Sequence, residues 1–103
     1  MSIGTPDTNQ GYTTLLEEAM PSAATATDIL ANAPQGTKEV WLYIFDAPLA
    51  IRTDGNDATA ATDEQFANDM NAPWVFPFTQ AQALLVSAIQ NGGIATGKIV
   101  YRG

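Results

Sequence analysis

The run Val40-Trp41-Leu42-Tyr43-Ile44-Phe45 restricts most tightly what this chain can fold into. Side chains of a strand alternate between its two faces, so Val40, Leu42 and Ile44 share one face and Trp41, Tyr43 and Phe45 share the other. Both sets are apolar. A strand with one wet face carries a polar residue at every second position, so this one is expected to be covered on both sides, by a second sheet or by a neighbouring subunit. Asp46-Ala47-Pro48 then joins it to a second strand, Leu49-Ala50-Ile51-Arg52. That strand ends at Asp54-Gly55, because glycine accepts the positive φ of a tight turn.

Short strands and turns are expected around this pair. Thr13 to Met20 fits either a helical turn or a short edge strand, stopped by Pro21. Ser22 to Leu30 reads as a strand crossing the sheet edge, and Asn32-Ala33-Pro34-Gln35-Gly36 turns the chain into the central strand. Between Asn56 and Ala72 only Phe66 and Met70 are large and apolar, which predicts a long surface excursion with a helical turn near Asp63 to Asn68. Trp74, Phe76 and Phe78 alternate as one sheet face would, and Pro77, lacking a donor, predicts an edge strand or a bulge. Ala83 to Ile89 suits a buried strand or a short helix, with β-branched Val86 and Ile89 favouring the strand. Ala95 to Arg102 is expected to pair with it as a hairpin across Asn91-Gly92-Gly93. The fold class is therefore all-β, an antiparallel β-sandwich or jelly-roll-like domain over residues 21–103. Residues 1–20 form an N-terminal arm or short element, and Met1 to Gly11 is polar and interrupted by Gly4, Pro6 and Gly11.

Composition narrows the chemistry. At 103 residues the chain is one domain, long enough to bury a core without covalent staples. Cysteine is absent, which removes disulfides, thiolate metal sites and a cysteine nucleophile. Histidine is absent too, and with it the usual general base near neutral pH and the commonest transition-metal ligand. Eleven acids against four Lys and Arg give a formal net charge of -7, which repels phosphate backbones, so nucleic acid is not an expected partner. The N-terminus has no basic segment followed by an apolar one, and no long apolar run occurs, so neither secretion nor a membrane span is expected. The chain is expected not to be an enzyme and to need no cofactor.

The remaining candidates are weighed by spacing. Asp54-Gly55-Asn56-Asp57, with Asp46 and Asp63 near in sequence, offers oxygen ligands for calcium, but in an EF-hand loop glycine stands sixth and here it follows the first Asp directly. A solvated turn is expected, with no metal. Glu17-Glu18 and Asp63-Glu64 are sequence neighbours and do not read as a general acid/base pair. Gly92-Gly93 and Gly97 lack the Lys-Ser/Thr of a phosphate-binding loop. Arg52 lies close to several acids and is expected to form a structural ion pair, with Asp54 as its partner. Trp41, Tyr43, Phe45, Trp74, Phe76 and Phe78 either line a sugar-binding face or belong to core and subunit contacts, and the second reading is preferred. Tyr12, Leu15, Leu16, Trp74, Phe76 and Phe78 are the interface candidates.

Two segments carry a resemblance. Ile44 to Ala60, an apolar strand ending in Arg52 and leading into Asp54-Gly55 and a threonine-containing loop, is similar to a signature of small structural proteins of tailed bacteriophages. So is Asn91 to Tyr101, a glycine turn leading into a closing strand that ends in Val100-Tyr101. The resemblance spans roughly the C-terminal two-thirds. It departs at Ala58, where a proline often precedes the threonine, and at Glu64-Gln65-Phe66, where a glycine-containing turn is usual. It implies a capsid decoration (cement) protein, a virion component on the capsid exterior, assembled in the host cytoplasm, with the major capsid protein as partner and no catalytic residues to carry over. A homo-oligomer is expected, a trimer first. A neck or tail component is the neighbouring alternative, and a carbohydrate-binding β-sandwich module the alternative of another class. An exposed row of ring faces with polar neighbours would favour sugar, and rings buried against another subunit would favour assembly.

Overall fold

In the computed structural model, residues 11–103 are described, and their regular secondary structure is almost all strand, in two antiparallel sheets compatible with a β-sandwich. Of the expected arm, Met1 to Gly11, residues 1–10 lie outside the described residues. The first sheet contains β1 (Thr14–Ala19), β2 (Glu39–Phe45), β5 (Asp69–Phe76) and β7 (Thr96–Arg102), in the order β1-β7-β2-β5. The second contains β3 (Leu49–Arg52), β4 (Glu64–Phe66) and β6 (Ser87–Gln90), in the order β4-β3-β6. Helix is confined to α1 (Gln80–Ala83).

β2 holds the centre of the first sheet because its alternation is complete. Val40, Leu42 and Ile44 are all buried, and they meet Ile99 and Tyr101 of β7 and Leu49, Ile51 and Phe66 of the other sheet in one hydrophobic cluster. Its other face departs from expectation. Trp41, Tyr43 and Phe45 are only half-buried, and what covers them in part is the chain's own cations: the Arg102 guanidinium lies 4.2 Å from the Trp41 ring and the Lys98 ammonium 5.7 Å from that of Tyr43. Flat rings on a solvated face are shielded here by cation–π stacking. Glu39 completes the group by accepting a 2.7 Å hydrogen bond from Trp41 Nε1.

β2 and β3 do run consecutively, but they lie in different sheets. The crossing is made at Asp46, which has φ 72°, while Ala47 N donates to Phe45 O at 2.8 Å. An i to i+2 bond about a residue of positive φ is a γ-turn, tight enough to send the chain from one layer to the other within three residues. Asp tolerates this conformation better than most side chains do.

Several sequence expectations change for the same reason, that burial across two layers decides more than local pattern. Thr14–Ala19 is a strand and belongs to the first sheet, as its outer member beside β7. Ser22 to Leu30 is not a strand: it runs beside β6 with a single bridge, Thr27 to Ala88, and a bond from Gln90 N to Ala23 O, and its Ile29 and Leu30 are both buried. They plug the core through turns. The excursion after Asn56 is interrupted by β4 and by the start of β5 where a helical turn was expected, and Ala58 is buried, its N–H donating 3.0 Å to the Ser87 hydroxyl. Ala83 to Ile89 divides between α1 and β6. α1 is opened by a capping box in which Gln82 N donates to Thr79 Oγ1 and Thr79 N donates to Gln82 Oε1. β6 and β7 form no hairpin, because they belong to different sheets.

Tyr101 closes the core at its β1 edge. It is fully buried except for its hydroxyl's reach to Glu18, to which it donates at 2.8 Å, and burial followed by this bond pushes the phenol well above its ordinary pKa.

Candidate functional site

The order of strands in each sheet places β5 at one edge of the first and β4 at one edge of the second, and the two are consecutive in the chain. Where they diverge, the space between the sheets opens to solvent as a groove of about 630 Å³. That is within the size range of ordinary ligand sites. Its apolar side is made by Ile51, Phe66, Phe76 and Phe78, and its polar side by Arg52, Asp54, Asp63 and Glu64.

The aromatic side is built by ring-on-ring packing. Phe76 stacks on Phe78 with centroids 4.9 Å apart and planes 10° from parallel, and meets Phe66 at 5.5 Å and 60°. Trp74 sits edge-on to Phe66 at 4.8 Å and donates its Nε1 proton 2.9 Å to the Ala67 carbonyl. Phe66 and Phe76 are buried, whereas Trp74 and Phe78 are partly exposed. Phe76 is therefore a core residue forming the floor of the groove. Of the three aromatic interface candidates at this edge, Trp74 and Phe78 carry more accessible surface than Phe76. Phe78 lies beyond the end of β5, after Pro77, so the three do not share one continuous strand face.

The polar side is a charge network. Arg52 grips Asp54 with both ends of its fork, Nε to Oδ1 at 2.8 Å and Nη2 to Oδ2 at 2.9 Å. The same carboxylate accepts from Asn56 N at 3.0 Å and Asn56 Nδ2 at 3.1 Å. Four donors, those of Arg52 foremost, hold the Asp54 carboxyl well below the usual carboxylate range. Asp63 lies 3.8 Å from Arg52 Nη1 and accepts a 2.6 Å bond from Thr59 N. Glu64 is exposed, and among the described residues no hydrogen bond or ion pair reaches its side chain. Sequence reasoning placed Asp63 near Asp54 and weighed Asp63-Glu64 as a carboxylate pair, but it did not bring Glu64 beside Arg52, because that depends on the pairing of β4 with β3.

Tyr12, Leu15 and Leu16 lie far from the groove in the sheet order, at the β1 edge. Leu15 and Leu16 are exposed, and Tyr12 is half-buried beneath Lys38, whose ammonium is 5.7 Å from its ring. The candidate interface residues thus divide into two separate places, one at each edge of the first sheet. Every Lys and Arg of the chain is engaged within it: Lys38 over Tyr12, Arg52 with Asp54, Lys98 with Glu17 at 2.7 Å, and Arg102 over Trp41. The acids outnumber them, so the charge available to a partner is negative. Among the described residues no group of three or more acids is placed to hold a metal ion, and Asp57 stands exposed apart from the Asp54 network.

No family model, curated protein or solved structure matches the chain.

Proposed function

We propose that the chain acts by contact and not by catalysis, as a virion structural protein of the capsid-decoration type. The observation that carries this reading is that both edges of the first sheet carry exposed apolar side chains. Leu15 and Leu16 are exposed on β1, and Met70 with partly open Trp74 and Phe78 lines the β5 edge, while Leu84, Leu85 and Ile94 are exposed away from these strands. An open edge beside exposed apolar side chains is where a further chain adds. The resemblance of Ile44 to Ala60 and Asn91 to Tyr101 to phage structural proteins supplies the setting, with the major capsid protein as partner and a symmetric oligomer, a trimer first, as the working form. A neck or tail position is the variant of the same reading. Sugar binding gains less support, because Phe66, Phe76 and Phe78 stack on one another instead of presenting a flat row of free faces.

Phage heads assembled without the chain, mixed with purified protein and sedimented, test the reading. The chain should pellet with the heads and raise their melting temperature, and replacing Leu15 and Leu16 together by Ser should leave its own melt intact while reducing occupancy. A chain that stays in the supernatant removes the proposal.

A further inference from the structure

We infer that the groove between β4 and β5 takes an extended basic segment of a partner protein, which adds to the open edge of β4 and sets a Lys or Arg side chain against Glu64. This inference goes beyond the virion reading and does not depend on it.

The backbone makes the first part of the case. β4 is the outer strand of its sheet, paired on one side only, with β3, and among the described residues no turn or loop backbone bonds to its other side. An extended segment laid along such an edge gains main-chain hydrogen bonds from it. The pairing also fixes which side chains meet. Glu64 stands opposite Ile51 and Phe66 opposite Leu49, so both lie on the face turned to the other sheet, while Gln65 lies on the reverse. Residues of an added strand opposite Glu64 and Phe66 fall on that same face, two positions apart.

Charge selects the occupant. Three carboxylates, Asp54, Asp63 and Glu64, face one guanidinium, Arg52, for a formal charge of -2 on the groove wall. Arg52 is already held in both arms of its fork by Asp54, which leaves it little to offer an incoming anion. Asp63 spends one oxygen on Thr59 N, and Glu64 is exposed. The free end of the network is thus anionic and lies beside Phe78, whose ring can cover the aliphatic stem of a long cation. The recognised pattern is a basic residue and an apolar residue two positions apart, the basic one opposite Glu64 and the apolar one opposite Phe66. Acidic segments and nucleic acid are repelled by the same wall.

The test uses the whole chain, ¹⁵N-labelled, titrated with the capped peptide acetyl-Thr-Leu-Thr-Arg-Thr-amide and with its counterpart carrying Glu in place of Arg. The Arg peptide should shift the amides of Glu64, Gln65 and Phe66 and the groove residues Thr53 and Phe78, and the Glu peptide should not. Glu64→Gln, at an exposed position, should weaken binding by about two- to fivefold, the range of an opposite-charge cross-strand pair. Added salt should weaken it further in the unaltered chain than in the variant. Equal binding of both peptides, shifts centred on β1 instead of β4, or an affinity indifferent to Glu64→Gln would each overturn the proposal. So would a neutral oligosaccharide that shifts the groove amides while the Arg peptide leaves them still.

Discussion

Asp46 accepts a 2.8 Å hydrogen bond from Thr96 Oγ1, so the residue that carries the chain between the two sheets is tied to the first residue of β7. The bond fixes a backbone that would otherwise be strained, since φ at Asp46 is 72°. Asp46→Ala keeps the unfavourable Cβ and loses the acceptor, and should cost about 1–2 kcal/mol. Asp46→Gly loses the acceptor but relieves the backbone, and should cost less. Urea melts of the two variants check the order: equal losses would put the whole effect in the hydrogen bond, and a glycine variant weaker than the alanine one would contradict backbone strain at Asp46.

The two faces of β2 should answer differently to truncation. Ile44 is completely buried between the sheets, and Ile44→Ala should lose about 2–5 kcal/mol. Trp41 is half-buried beneath Arg102, and Trp41→Ala should cost less than Ile44→Ala, through lost stacking more than through a cavity. Equal losses would mean that the outer face is sealed as tightly as the inner one.

The Arg52–Asp54 pair predicts a pH dependence of known sign. The folded carboxyl titrates below its ordinary value of 3.8, so the pair's contribution is present above that value and fades as the pH falls beneath it. Arg52→Gln removes the largest cause. A ¹³C carboxyl titration should then move Asp54 back up towards 3.8, and no movement would assign the depression to Asn56 instead.

Much of the sandwich is readable from the alternation of Val40, Leu42 and Ile44 and from the Asp54-Gly55 turn, since period-2 burial and turn chemistry are local properties. Layer assignment is not local. Asp46-Ala47-Pro48 looks like an ordinary connection, and only its positive φ reveals that β2 and β3 part company. β4 escapes a hydrophobicity reading because Glu64 and Gln65 are polar and Phe66 alone is buried. Thr79-Gln80-Ala81-Gln82 did carry a visible helix start, the Thr and Gln of a capping box three residues apart. The groove was out of reach for a different reason. Arg52, Asp63, Phe66 and Phe78 come from three separate segments, and their meeting depends on how β4 and β5 diverge at the sheet edges.

Quantitative mass spectrometry of tailed-phage particles purified from infected cells that produce the chain, before and after mild protease treatment of intact particles, tests the proposed capsid-decoration role most directly. A capsid-decoration protein should be present in a fixed whole-number ratio to the major capsid protein and should be cut by protease while the shell remains closed. A chain found in the lysate but missing from the particles would contradict the account.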